Sequence, residues 1–297
     1  MELKKISDRV YYISNVVNIG CIVSGKEAVV IDTGLEDAVG KKIVNILGKE
    51  GLTVRVIINT HSHADHFGGN AYIQEKTGAV VYAPAMEESI IQYPYFEPFY
   101  LFSGANPVKE LQNKFLMGKP SKVDYVIPKG ETTLDILGIK LGIIPLPGHS
   151  MNQIGIEIDN ILFCGDAFIS EEVLKKHKIP FHMDINRQRE TLQWFMDTAY
   201  GWYIPSHGEP VERIDEVVQM HMDVLDDIEQ CILQQLSWKK TTEQLVKAVC
   251  DTYGVQVSSL GQYYLLHTTI VAHIGALADM QKIRAQVENN QVYWTMV

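Results

Sequence analysis

Asn59-Thr60-His61-Ser62-His63-Ala64-Asp65-His66-Phe67-Gly68-Gly69 places three histidines and an aspartate within six positions. It follows Val54-Arg55-Val56-Ile57-Ile58, a short β-branched run of the kind that makes a buried strand. The cluster therefore stands where a strand ends and a loop begins. Strand ends of layered α/β folds commonly carry sites, because rigid backbone holds the side chains while the loop leaves access. Neutral imidazole and carboxylate are the ligands zinc takes where no thiolate is offered. A single histidine beside a strand is ordinarily a packing or surface residue. Four ligand-type side chains packed this closely point instead to a metal.

Outward from this stretch, Leu146-Pro147-Gly148-His149-Ser150, Phe163-Cys164-Gly165-Asp166 and Pro205-Ser206-His207-Gly208 lie downstream, and Val29-Val30-Ile31-Asp32-Thr33-Gly34 lies upstream. Together with His61-Ser62-His63-Ala64-Asp65-His66 these segments resemble, in order, the HxHxDH motif and the other ligand segments of the metallo-β-lactamase-fold hydrolases. The resemblance covers about residues 1–210. It implies an α/β fold, a four-layer αβ/βα sandwich, with a mainly helical C-terminal subdomain over 211–297. It also implies a binuclear centre in which His61, His63 and His149 hold one metal, Asp65, His66 and His207 hold the second, and Asp166 bridges them. Asp32 would support the metal loop from behind. Two zinc ions are the expected cofactors, with iron or manganese as alternatives.

The chemistry implied by the resemblance is attack by a metal-bridging hydroxide on a thioester, ester or lactone, as in glyoxalase II and its relatives, with Asp65 and Asp166 at the reacting centre. RNA-directed zinc phosphodiesterases share the ligand set, and mono-iron persulfide dioxygenases use part of it. A non-catalytic metal-binding protein is the reading outside enzymes. Antibiotic-hydrolysing members generally carry cysteine or serine where Asp166 stands, and flavodiiron proteins a glutamate where His63 stands. Both classes are disfavoured.

Composition narrows the partners. Hydrophobic residues at 46% and charged residues at 21% are those of a soluble globular protein. No apolar leader or spanning run is visible, and Cys21, Cys164, Cys231 and Cys250 form no paired motif, so a reduced cytoplasmic setting without a membrane is expected. Cys164 reads as a packing residue. The net charge of −10 lacks the basic footprint of a nucleic-acid binder, and residues 211–297 hold 6 Lys and Arg against 11 Asp and Glu. A small-molecule substrate is the expected partner.

Apolar alternation predicts strands over 10–13, 19–23, 28–31 and 54–58, then 79–82, 131–137, 139–145, 153–158, 161–164 and 201–204, with helices near 36–49, 70–77 and 187–199. Residues 93–120 form an insert in which Tyr93, Tyr95, Phe96, Phe99, Tyr100 and Phe102 crowd among Pro94, Pro98 and Gly104. Tyr95, Phe96, Phe99 and Tyr100 are candidates for a substrate-pocket wall, and a homodimer contact is the competing use of the same aromatics. Residues 167–186 read as a second irregular stretch with Lys175-Lys176-His177-Lys178 as a solvated basic cluster. Beyond Pro210, helices over 212–236, 241–250 and 258–280 precede a hairpin around Asn289-Asn290, a winged-helix-like pattern expected to pack over the site or to dimerise.

Overall fold

The β-branched runs of the first half make one sheet. In a computed structural model, which describes residues 1–297, they form β1 (Glu2–Lys5), β2 (Val10–Ser14), β3 (Ile19–Ser24) and β4 (Glu27–Ile31). There follow α1 (Asp37–Lys49), β5 (Thr53–Ile58), α2 (Ala64–Phe67), α3 (Asn70–Thr77), β6 (Val80–Pro84), α4 (Glu87–Gln92), α5 (Phe96–Leu101) and β7 (Tyr125–Ile127). The seven strands lie side by side in chain order, antiparallel up to β4 and parallel from β4 to β7. Parallel pairing needs crossovers, and α1 and α3 supply two of them.

The second half continues with β8 (Thr133–Ile136), β9 (Ile139–Pro145), β10 (Ile154–Ile158), β11 (Ile161–Gly165), α6 (Glu171–His177), α7 (Ile185–Met196) and β12 (Trp202–Pro205). These five strands order as β12-β11-β10-β9-β8, with only β11 and β12 parallel. Side chains alternate across a strand, so one strand can serve two cores. Val29 and Ile31 face the space between the sheets with Ile143, Ile156 and Phe163, whereas Val30 faces α1 and α3 with Ile43, Leu47 and Ile73. On the outer face of the second sheet, Leu162 and Cys164 pack with Leu192, Phe195 and Tyr203. The result is the four-layer αβ/βα sandwich, and Cys164 points into its outer layer.

The tail comprises α8 (Asp215–Gln235), α9 (Thr242–Thr252), α10 (Leu260–Asp279) and the hairpin β13 (Ile283–Glu288) with β14 (Gln291–Met296). Asn289 and Asn290 both adopt positive φ, which a two-residue hairpin turn requires and asparagine tolerates. Thr241 and Gln244 form a reciprocal capping box that starts α9. Val218 and Leu225 of α8 pack against the second sheet, while Ile228 and Ile232 of the same helix join Val249, Ile270 and Leu277 in a separate core. Arg189 of α7 fastens the two with ion pairs to Asp226 at 2.7 Å and Glu229 at 3.0 Å.

Two expectations change. The stretch 167–186 is not wholly irregular, because Ser170 caps α6 by accepting a hydrogen bond from the Val173 amide. Glu171 and Glu172 occupy its first turn and Lys175, Lys176 and His177 its last, the arrangement that suits a helix dipole, so the basic cluster is a helix C-terminus. β1 and β7 are additional strands at the two edges of the first sheet. The charged sequence of β1 and the three-residue length of β7 explain why apolar periodicity does not mark them.

Candidate metal centre

The cradle begins at the C-terminal end of β5. After Ile58 the chain turns sharply, and Asp65 and His66 sit on α2, a single turn held by the His66 amide donating to the His63 carbonyl at 2.9 Å. Gly68 and Gly69 let this turn lie against the 33–35 backbone: a Cβ on Gly68 would be 1.9 Å from the Leu35 carbonyl oxygen. His149 stands on the loop between β9 and β10, Asp166 directly after β11, and His207 after β12. Strand ends of both sheets thus bring the seven side chains together.

His61 Nε2 and His149 Nε2 lie 3.0 and 2.9 Å from His63 Nδ1. Tetrahedral zinc at about 2.0–2.1 Å from each nitrogen gives N···N edges of about 3.3 Å, close to what these three rings present. Asp65, His66 and His207 form a second cluster, with His207 Nε2 at 3.5 Å from Asp65 Oδ2 and His66 Nε2 at 3.8 Å from Asp65 Oδ1. Asp166 stands between the clusters: Oδ2 is 3.4 Å from both His149 Nε2 and His207 Nε2, and Oδ1 is 3.5 Å from His66 Nε2.

Hydrogen bonds behind the rings fix which nitrogen faces inward. His66 Nδ1 lies 2.8 Å from Asp32 Oδ2, His149 Nδ1 2.9 Å from the Phe181 carbonyl, and His207 Nδ1 3.0 Å from the Val16 carbonyl. Each acceptor takes the Nδ1 proton and turns the ring's Nε2 to the centre. Asp32 also accepts from the Thr60 amide and hydroxyl, both at 2.8 Å, and Thr60 Oγ1 in turn lies 3.0 Å from His61 Nδ1. Asp32 takes a positive φ to do this, a conformation aspartate tolerates.

The donor set fits divalent cations. His66 Nε2 and Asp166 Oδ1 are buried yet have no hydrogen-bond partner, an arrangement that costs stability unless something binds there. Burial, aided by His66 and His63, keeps the His61 pKa well below its ordinary value, and burial lowers His63 and His149 to about 4. Burial opposes charge on His66 and His207 too, but Asp166 and Asp65 prevail, with Asp32 adding to His66. They raise His66 well above the usual value and His207 to about 10. Against its own burial, Asp65 is held down to about 2 by His66 and His207, and Asp166 well below the carboxylate range by His207, His66 and His149. Three imidazoles thus offer free lone pairs, and two carry protons that balance the aspartates, protons that a cation would displace.

The centre lies at the floor of a cavity of about 710 Å³. Val16, Leu35, Leu116, Val173, Phe181 and Leu266 contribute to its wall. Tyr95, Phe96, Phe99 and Tyr100 do not line it, which corrects the expectation from aromatic crowding. α5 turns Glu97 and Leu101 inward, leaves Phe96 and Phe99 exposed, and packs a half-buried Tyr100 against the cluster of Leu101, Leu111 and Leu116. The insert reaches the cavity through Glu97, Phe115 and Leu116 instead. Helix α10 closes one side with Gln262, Leu265, Leu266 and Thr269, and α8 adds His221. His267 points elsewhere, beside Tyr263.

Sequence reasoning passes over Glu87 entirely. Fully buried, its carboxylate accepts hydrogen bonds from the Ser62 amide at 3.0 Å, the Ser62 hydroxyl, the Ser150 hydroxyl at 2.8 Å and the Asn152 amide at 2.8 Å. It ties the loop bearing His61 and His63 to the loop bearing His149. A lone glutamate on a six-residue helix carries no sequence signal of such a role.

Two layered sheets, strand-end histidines and a shared aspartate define the class. The metallo-beta-lactamase superfamily model matches residues 14–207, and the chain belongs to that superfamily. Over 154 residues it is 31% identical to a hydroxyacylglutathione hydrolase of Prochlorococcus marinus, covering 49% of this chain and 47% of that protein. Over 144 residues it is 31% identical to hydroxyacylglutathione hydrolase 1 of Vibrio vulnificus, covering 48% and 44%. The chain thus matches a little under half the length of these relatives. Among solved structures, a metallo-beta-lactamase family protein from Thermus thermophilus has a TM-score of 0.74 at 17% identity, covering 95% of this chain and 94% of that one. A beta-lactamase domain protein from Burkholderia ambifaria reaches 0.77 at 13% identity, over 100% and 94%. At these identities the two structures speak for the fold, tail included. No helix is long and apolar enough to cross a membrane.

Proposed function

We propose that the chain is a metal-dependent hydrolase of a carbonyl ester: a thioester, ester or lactone. The observation that carries this reading is the pair of His/Asp clusters sharing Asp166 at the floor of a largely apolar cavity. His61, His63 and His149 would hold one ion, Asp65, His66 and His207 the other, and Asp166 both. What two divalent cations supply when bound is Lewis acidity and a lowered pKa for water. The chain's own residues do the rest. Asp32, Phe181 and Val16 keep the imidazoles turned inward, Asp65 and Asp166 orient water between the clusters, and the wall holds the acyl part near the floor. The curated relatives are named for hydroxyacylglutathione, which makes a glutathione thioester one substrate to test. Three donors in each cluster favour two zinc ions over the single iron of an oxygenase.

Metal analysis and a turnover assay of the zinc-loaded protein test the reading, with His63→Ala beside it. About two zinc ions per chain and ester or thioester hydrolysis at least about 100-fold above the variant are expected. Retention of a single iron with oxygen uptake would instead select the oxygenase, and RNA cleavage with inert esters the phosphodiesterase.

A further inference from the structure

The cavity wall contains no lysine or arginine. Apart from Asp65 and Asp166 of the cradle, the charged residues that line it are Glu36 and Glu97, together with histidines. Nearby cations are already engaged. Lys114 pairs with Glu36 at 2.8 Å, Lys175 pairs with Glu171, and Lys178 donates to the Tyr253 carbonyl at 2.8 Å. Lys176 is exposed on the last turn of α6 and stands outside the lining.

Resting on the hydrolase reading above, we propose that this cavity selects an uncharged acyl compound, an ester or lactone with an apolar chain, and rejects acyl donors that carry several carboxylates or phosphates. Away from the metal cradle at the floor, a carboxylate or phosphate drawn against this wall loses water and gains no cation or fork of N–H donors in return, a cost that discriminates against it. An apolar chain meets Leu35, Val39, Leu116, Ile179, Leu265 and Leu266 on several sides. The volume falls in the range that encloses most of a drug-sized ligand. Glu97 is the polar exception. Only 3% exposed, its carboxyl has no hydrogen-bond partner in the protein and faces the cavity, where a hydroxyl or amide of the ligand can meet it. The excess of acid over base in the whole chain, −10, also repels polyanions on approach.

The test pairs turnover with binding on the zinc-loaded full chain. Turnover compares methyl decanoate and a ten-carbon lactone with S-lactoylglutathione and decanoyl-CoA. Calorimetry compares N-methyldecanamide, which is neutral and not readily cleaved, with S-hexylglutathione, a thioether bearing carboxylates. The expected result is a kcat/KM at least about 100-fold higher for the neutral substrates, with measurable binding of the amide and none of the thioether. Efficient turnover of S-lactoylglutathione or decanoyl-CoA, or thioether binding as tight as the amide's, overturns the proposal while leaving the hydrolase intact. Binding of the amide without turnover of any ester overturns the hydrolase reading and leaves the cavity's selectivity standing. Absence of amide binding overturns the selectivity.

Discussion

The cradle and the cavity wall lie within a few ångströms of each other and are built on opposite terms. Every imidazole of the cradle except His63 has its outer nitrogen tied to a carboxylate, hydroxyl or carbonyl, and its members hang from strand ends of two sheets. The wall is largely apolar, assembled from a loop, a turn, the insert, α6, α8 and α10, and depends mainly on packing, with a few bonds such as the His182 amide donating to the Thr269 hydroxyl. Directional bonds specify a geometry to fractions of an ångström; dispersion and apolar burial specify a volume. The comparison teaches that the centre can stay constant while the wall is free to vary.

Four substitutions break or sharpen that division. The largest effect is expected from Asp32→Asn, since the amide can no longer accept from both Thr60 and His66. Metal affinity falls by about 10–100-fold in a chelator competition, while circular dichroism remains that of the folded chain. Unchanged affinity would remove Asp32 from the cradle.

Next comes Glu87→Gln, which sets a donor against the donors of Ser62, Ser150 and Asn152. A loss of about 2 kcal/mol in denaturant unfolding is expected, with the metal-loaded and chelated proteins affected alike. An effect confined to the metal-loaded form would mean that the metals, and not Glu87, join the two loops.

Leu266→Ala removes wall and a little of the tail core, and touches no residue of the cradle. KM for an apolar ester rises by about tenfold with metal content unchanged, because the lost contacts belong to the substrate's chain. A lowered metal content would show that wall and cradle are coupled.

The smallest effect concerns His273, fully buried on α10 with neither ring nitrogen partnered. Burial, with the Arg189 charge, depresses its pKa to about 3. The unfolded chain, with a histidine near 6.5, therefore binds the proton more readily than the folded one. This contribution to stability is complete above about pH 6.5 and is lost as pH falls towards 3. His273→Met should flatten the urea midpoint across that window, by about 1 kcal/mol at pH 5.5, without touching turnover at pH 8. An unaltered acid dependence would place the acid sensitivity elsewhere.

The same division decides what can be read from the chain. The convergence of His61, His63, Asp65, His66, His149, Asp166 and His207 is legible because strand ends translate short spacings into fixed positions, and because the strands announce themselves by β-branched alternation. Asp32 is legible for the same reason. The wall is not, since Val16, Leu116, Val173 and Leu266 are separated by up to 250 residues and share no period. Aromatic density over 93–102 misleads because the backbone of α5 turns a glutamate inward and two phenylalanines outward. α6 had a usable signal in Ser170 and its flanking charges; Glu87 had none. The helices and hairpin of the tail follow from periodicity, whereas the use of α10 as a wall depends on how Ile179, Phe181 and the insert pack against it.

Helix α10 faces two ways. Leu266 and Thr269 look onto the cavity, while Ile274 and Leu277 belong to the core the tail shares with α8 and α9. Whatever shifts the part of that core around Ile274 and Leu277 moves one side of the cavity, while the seven cradle residues stand on other elements. For a lineage exploring new substrates, drift in residues 211–297 is then a route to altered diet that leaves all seven side chains of the reacting centre unchanged.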